Sequence, residues 1–191
     1  LGLAESGRSI EVVGVKTQSG TQVDLYDQSY ALLVGVSDYT RGWPPLNQVP
    51  SEMDSVASAL NSQGFHVERV LNPDEQELEK AFSDFIDQYG YNRNNRLLFY
   101  YAGHGYTMNE GKEVYLVPTD APDPREDKIN FMRKSLNMAQ IISWCKQMHS
   151  KHALFLFDSC FSGTIFKQRD LPDAPPRIDQ LIEKPVRQFI T

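Results

Sequence analysis

A histidine and a cysteine each follow closely on an apolar segment of the sequence. His104 comes two residues after the segment 97–102 (LLFYYA), and Cys160 comes three residues after the segment 153–157 (ALFLF). A thiolate is a strong nucleophile, and an imidazole beside it lowers the thiol pKa and supplies a proton to a leaving amine. The two side chains could therefore form a dyad for nucleophilic catalysis.

Backbone amides next to these residues could complete such a site. Gly103 and Gly105 flank His104, and a glycine lets the backbone approach a substrate closely. We expect the N–H groups of Gly105 and Cys160 to hold an oxyanion. A lone cysteine or histidine at a strand end is more often a packing residue, and it is the shared position of the two at strand ends that favours catalysis. Cys145, inside an amphipathic segment, is expected to be a core residue.

Short apolar segments alternate with segments of helical period along the chain. This alternation predicts an α/β fold with a mostly parallel central sheet flanked by helices. The carboxyl ends of such strands share one edge, where catalytic groups collect. Asn72 and Pro73 are expected to cap and begin the second helix, and residues 118–135 to form a loop. Strands are predicted at 30–36, 65–71, 97–102, 114–117 and 153–157, and helices at about 50–63, 73–89 and 137–150.

Composition excludes several classes of protein. The chain has 191 residues, of which 40% are hydrophobic, and this suffices for one compact domain. A net charge of -6 without runs of Lys or Arg argues against a nucleic-acid partner. No apolar stretch approaches the roughly 18 residues of a membrane span, and no secretory signal is evident. Two cysteines make no disulfide framework, so we expect a cytoplasmic protein.

Three parts are distinguished along the chain. Residues 1–29 form an N-terminal extension, in which weak alternation at 10–15 and 21–25 suggests a peripheral hairpin. Residues 30–165 carry the alternating elements and the candidate site. Residues 166–191 are rich in proline and charge, as an irregular segment would be.

Two blocks of sequence resemble the catalytic blocks of metacaspases and bacterial orthocaspases. They are YYAGHG at 100–105 and DSCFSG at 158–163, and YALLVGVSDY at 30–39 resembles the first strand of the same clan. A histidine about 50 residues before the cysteine is also the caspase spacing. The resemblance implies a caspase–hemoglobinase fold and a cysteine endopeptidase. It makes His104 the general base and acid, and Cys160 the nucleophile.

Asp158 distinguishes this chain from true caspases, whose nucleophile block reads Q-A-C-[RQG]-G. Residues two apart on a strand face the same side, so we expect Asp158 to project toward the crevice of Cys160. Metacaspases use an aspartate here to bind Arg or Lys, and the resemblance implies cleavage after these residues, with Arg favoured by its fork. Capping of local amides is the alternative. Glu52 is a second candidate pocket acid, although a solvated residue in a first helical turn is the favoured interpretation.

Calcium is a less favoured alternative for this chain. Some metacaspases bind it through acids between the catalytic blocks, and hard oxygen ligands occur in that region. Their spacing is not that of an EF-hand, so we expect a solvated loop, no metal site and no cofactor. The acids concerned are Asp120, Asp123, Glu126 and Asp127.

Family members continue past the nucleophile block, and a new strand is expected to begin near residue 187. We therefore expect a small-subunit-like fragment of the same precursor as a partner, besides a protein or peptide substrate. Activation by self-cleavage would use a basic residue of the proline-rich segment. The candidates are Lys167, Arg169, Arg177, Lys184 and Arg187.

Two other classes of function compete with an endopeptidase. A catalytically silent caspase-like domain could serve as a scaffold, but the presence of both His104 and Cys160 argues against this. A nucleotide-binding α/β domain would need a glycine-rich phosphate loop after its first strand. Residues 35–39 (GVSDY) contain none.

Overall fold

A computed structural model of the protein describes residues 14–16, 22–24, 26–159 and 186–190. Strands and helices alternate along the chain. The helices are α1 (Val49–Ser62), α2 (Glu75–Tyr89), α3 (Lys128–Lys134) and α4 (Met138–Gln147). The strands are β1 (Gly14–Lys16), β2 (Gln22–Asp24), β3 (Gln28–Gly35), β4 (His66–Leu71), β5 (Asn95–Ala102), β6 (Gly105–Met108), β7 (Glu113–Leu116), β8 (Leu136–Asn137), β9 (His152–Asp158) and β10 (Val186–Ile190).

A five-stranded sheet of order β10-β9-β5-β3-β4 forms the centre of the fold, and each of its pairings is parallel. The predicted α/β class, with a mostly parallel sheet flanked by helices, is confirmed. β1 and β2 pair antiparallel. A second, antiparallel sheet of order β6-β7-β8 follows β5. β7 lies close to the predicted strand at 114–117, whereas β6 and β8 were not predicted.

The two faces of the central sheet bury different sets of side chains. Phe99 of β5 stacks on Phe155 of β9 at 4.3 Å between ring centroids, on the face that α2 and α4 cover. Leu98 and Tyr100 of the same strand pack instead with Met53 of α1. Alternation along β5 therefore sends Tyr100 to the α1 face and Tyr101 to the opposite face. Side chains from both faces of the sheet therefore reach the ends of the strands.

Helix α2 begins later than predicted. Its N-cap is Asp74, whose side chain accepts the Glu77 N–H at 2.9 Å, while the Glu77 carboxylate accepts the Asp74 N–H at 3.1 Å. This is a capping box. The predicted cap, Asn72, has a positive φ of 55° and uses its side-chain oxygen to accept the Ser37 N–H at 2.7 Å. Asn72 and Pro73 thus belong to the turn before the helix.

The segment 118–135 is not only a loop, because it contains α3. Asp127 caps this helix by accepting the Asn130 N–H at 3.1 Å, and Phe131 is its buried residue. One buried residue in seven leaves no periodic apolar stripe, so this helix gave no signal in the sequence.

Cys145 is buried on α4, as predicted. None of the helices in the described part of the chain has the length and hydropathy that a membrane span requires.

Candidate active site

The carboxyl ends of β5 and β9 lie side by side and in register. Ala102 pairs with Asp158, and the Gly103 N–H donates to the Asp158 carbonyl at 3.3 Å. One residue further on, the Ser159 hydroxyl donates to the Gly103 carbonyl at 2.8 Å. Gly103 immediately precedes His104. Ser159 immediately precedes Cys160, which itself lies outside the described residues.

The imidazole of His104 is held by a backbone carbonyl. Its Nε2 lies 2.8 Å from the Pro44 oxygen. A carbonyl can only accept, so Nε2 carries the proton, and in the neutral ring Nδ1 keeps a free lone pair. The rings of Tyr39 and Trp43 contact the imidazole, with centroids 4.7 and 5.2 Å away. This arrangement fixes the ring and leaves Nδ1 available to take up a proton.

The backbone of His104 is bound at both of its polar groups. Its N–H donates to the Tyr39 hydroxyl at 2.7 Å. Its carbonyl accepts the Val117 N–H at 3.1 Å and lies 3.0 Å from the Tyr101 hydroxyl. Tyr101 is fully buried, and burial raises its pKa well above the usual value of 10.0. Burial also raises the pKa of Tyr39, so both phenols stay neutral.

Gly105 opens β6 opposite Leu116 of β7. The bond from the Val117 N–H to the His104 carbonyl lies one residue outside this pair on each strand. In an antiparallel ladder this makes Gly105 and Leu116 a non-hydrogen-bonded pair. The Gly105 N–H therefore points away from β7, in a direction where it could donate to a ligand.

The Tyr100 hydroxyl lies beside a carboxylate on the α1 face of the sheet. The Tyr100 hydroxyl donates to Asp158 Oδ2 at 3.4 Å. The pKa of Tyr100 is raised to about 12, first by burial and then by the negative charges of Asp158 and Glu52. Asp158 itself is exposed at the end of β9. The charges of both acids that the sequence suggested for a pocket therefore act on Tyr100.

The acids between the catalytic blocks are engaged in local structure. Asp120 forms an ion pair with Lys134. Asp123 accepts three hydrogen bonds from the Arg125 side chain, which lower its pKa. Asp127 caps α3. Within residues 26–159 and the other described segments, no group of three or more His, Cys, Asp or Glu side chains is placed to hold a metal ion.

The predicted processing sites cannot be placed on the structure. The backbone of Arg187 lies in β10 opposite Ala153, but its side chain lies outside the description. So do the other candidates, which are Lys167, Arg169, Arg177 and Lys184.

Sequence reasoning missed the residues that orient His104. Tyr39, Trp43 and Pro44 lie in the segment that follows β3. The signal was weak but present, because two aromatic residues occur just beyond the carboxyl end of a buried strand. A backbone carbonyl as the partner of Nε2 leaves no mark in the sequence.

The fold is a parallel α/β sheet with a histidine and an acidic residue at its strand ends. This places the chain in the class of α/β proteins whose functional groups collect at the carboxyl edge of the sheet. The family follows from a direct comparison, because a family model described as the caspase domain of peptidase family C14 matches residues 28–186. This match spans most of the chain. The chain therefore belongs to the caspase-domain family of cysteine peptidases.

A solved structure supports the fold. The crystal structure of protein GSU0716 from Geobacter sulfurreducens is similar, with a TM-score of 0.55 and 18% sequence identity. The similarity covers 72% of this chain and 52% of that chain, so this chain corresponds to about half of that protein's length. None of the curated proteins matches the sequence significantly.

Proposed function

We propose that this chain carries the catalytic residues of a cysteine endopeptidase of the metacaspase or orthocaspase type, which cleaves after Arg or Lys. The observation that carries the proposal is the register of β5 and β9. The bond between the Ser159 hydroxyl and the Gly103 carbonyl ties together the residues that immediately precede Cys160 and His104. Consecutive Cα atoms are about 3.8 Å apart, so chain connectivity keeps Cys160 next to Ser159 and His104 next to Gly103.

The reaction uses His104 twice. Nδ1 takes the thiol proton of Cys160, and the thiolate attacks the carbonyl carbon of the scissile bond. The N–H groups of Gly105 and Cys160 stabilise the oxyanion. The carbon–nitrogen bond then breaks, and the imidazolium returns its proton to the leaving amine. Water, deprotonated by His104, hydrolyses the thioester and restores the thiol. The Pro44 carbonyl keeps the ring oriented through both steps.

Asp158 and Glu52 supply the negative charge for a basic side chain. After burial, the charges of both carboxylates raise the pKa of the Tyr100 hydroxyl on the α1 side of the strand ends. An Arg or Lys side chain there would meet negative charge, and the guanidinium fork can bind Asp158 with two hydrogen bonds. The Tyr100 hydroxyl donates to the Asp158 side chain, and capping of local amides is the alternative role.

The proposal also covers the substrate, the partner, the activation and the location of the enzyme. The substrate is a protein or peptide, residues 30–165 carry the catalytic machinery, and a small-subunit-like fragment of the same precursor assembles with it. Self-cleavage after a basic residue within 166–191 activates the enzyme. We expect the enzyme to work in the cytoplasm. Asp120, Asp123 and Asp127 already have protein partners, so they do not favour a calcium site between the catalytic blocks.

Fluorogenic peptides test the proposal directly. Matched peptides ending in Arg, Lys or Asp are incubated with the protein, with Cys160→Ala and with His104→Ala. Cys145→Ala is the control, because it removes the buried cysteine of α4. We expect cleavage of the Arg and Lys peptides that depends on Cys160 and His104 but not on Cys145. No Cys160-dependent cleavage would favour a scaffold, and a preference for the Asp peptide would refute the acidic pocket.

A further inference from the structure

The peptide unit between His104 and Gly105 joins the base to the oxyanion donor. Its carbonyl oxygen belongs to His104 and its N–H to Gly105. That oxygen is bound from two sides, by the Val117 N–H at 3.1 Å and by the Tyr101 hydroxyl at 3.0 Å. In a planar trans peptide the C=O and N–H point in opposite directions. Fixing the oxygen therefore also fixes the direction of the Gly105 N–H.

Two phenols bind the backbone of His104 at different groups. The Tyr39 hydroxyl accepts the His104 N–H at 2.7 Å. Tyr101 lies within 3.0 Å of both the His104 and the Val117 carbonyls, and it accepts the Val117 N–H at 3.2 Å. The N–H and the C=O of His104 are thus each bound by a tyrosine hydroxyl.

Gly103 leaves the space that the two tyrosine hydroxyls occupy. A Cβ at position 103 would lie 2.7 Å from the Tyr101 hydroxyl oxygen and 3.0 Å from that of Tyr39. These distances are shorter than van der Waals contact. The glycine before the histidine is thereby explained by the two phenols.

We propose that Tyr39 and Tyr101 are positioning residues, which hold the His104–Gly105 peptide so that the Gly105 N–H faces the oxyanion. The inference rests on the proposed peptidase function and adds two residues that the sequence did not suggest. Neither hydroxyl needs to touch the substrate. Their effect reaches the reaction through the orientation of one N–H group.

Kinetics of Tyr101→Phe test the catalytic part. Its matched control is Tyr115→Phe, because Tyr115 is also buried and its hydroxyl bonds Glu113 at 3.1 Å instead. Loss of an oxyanion donor costs about 10²–10³-fold in kcat, and we expect misorientation to cost about tenfold or more. KM should stay unchanged. Alkylation of Cys160 by iodoacetamide forms no oxyanion, so its rate should also stay unchanged. An equal loss in both variants would overturn the proposal.

A second measurement does not depend on activity. Residual dipolar couplings report the orientation of individual N–H bonds. We expect the coupling of Gly105 to change in Tyr101→Phe and in Tyr39→Phe, and to keep its wild-type value in Tyr115→Phe. An unchanged Gly105 coupling in the first two variants would refute the positioning role even if the enzyme is active. If the wild type cleaves no peptide, the proposed function fails. The dipolar couplings would still show whether the two hydroxyls set the orientation of the Gly105 N–H.

Discussion

Replacing Asp158 with Asn should weaken the recognition of arginine without disturbing the fold. The substitution keeps the shape of the side chain and removes its negative charge. Asp158 is exposed at the end of β9, and its side chain accepts a hydrogen bond from the Tyr100 hydroxyl at 3.4 Å. That long hydrogen bond contributes little to stability, so we expect the free energy of unfolding to change little.

The size of the expected loss in kcat/KM follows from the exposure of the Asp158 carboxylate. A hydrogen bond to a charged group contributes about 1.5–3 kcal/mol, and solvent screening at an exposed side chain places Asp158 at the lower end. About 1.4 kcal/mol corresponds to one factor of ten. We therefore expect kcat/KM for an arginine peptide to fall about 10-fold to 30-fold. Glu52 retains part of the attraction, so Asp158→Asn with Glu52→Gln should lose more than the single variant.

The assay compares a peptide ending in arginine with the same peptide ending in citrulline, its neutral isostere. Asp158→Asn should lower the arginine to citrulline ratio of kcat/KM. Asp54→Asn is the control, because Asp54 lies on the same helix as Glu52 but pairs with Arg69 at 2.5 Å. An unchanged ratio in Asp158→Asn, or an equal fall in the control, would refute the acidic pocket.

Two further predictions concern the framework of the site. Gly103→Ala should destabilise the fold by about 1–3 kcal/mol, because the added methyl group would overlap the Tyr101 hydroxyl. The variant should also have a lower kcat. Urea denaturation measures the loss of stability, and an unchanged midpoint would contradict this packing. Asp123→Asn should lower stability at neutral pH, since the Arg125 side chain holds the pKa of Asp123 below its usual 3.8. That contribution is present above pH 3.8 and is lost as the pH falls through the depressed pKa, so the difference between wild type and variant should vanish in acid. A difference independent of pH would exclude the ion pair as its cause.

The central sheet could be predicted because its inner strands β3 and β5 are buried on both faces. Continuous apolar runs such as those of β5 and β9 have few other structural interpretations. Short elements were harder. Helix α3 buries Phe131 alone, and Asn72-Pro73 imitates a helix start two residues before the true cap, Asp74.

Part of the candidate site could also be predicted. The strand ends located His104 and Asp158, because position along a parallel strand determines the edge on which a residue lies. Glu52 remained ambiguous, since a first-turn acid faces either solvent or the sheet according to how the helix is placed. The roles of Tyr39, Tyr101 and the Pro44 carbonyl depend on contacts between distant segments, which periodicity does not encode.

Covalent labelling of Cys160 tests the central claim that His104 and Cys160 act as a dyad. The protein is treated with an arginine-terminated peptidyl acyloxymethyl ketone, and the site of modification is mapped by mass spectrometry. We expect one equivalent of label on Cys160, none on the buried Cys145, and a large loss of labelling rate in His104→Ala. Labelling that spares Cys160, or that proceeds equally fast without His104, would contradict the dyad.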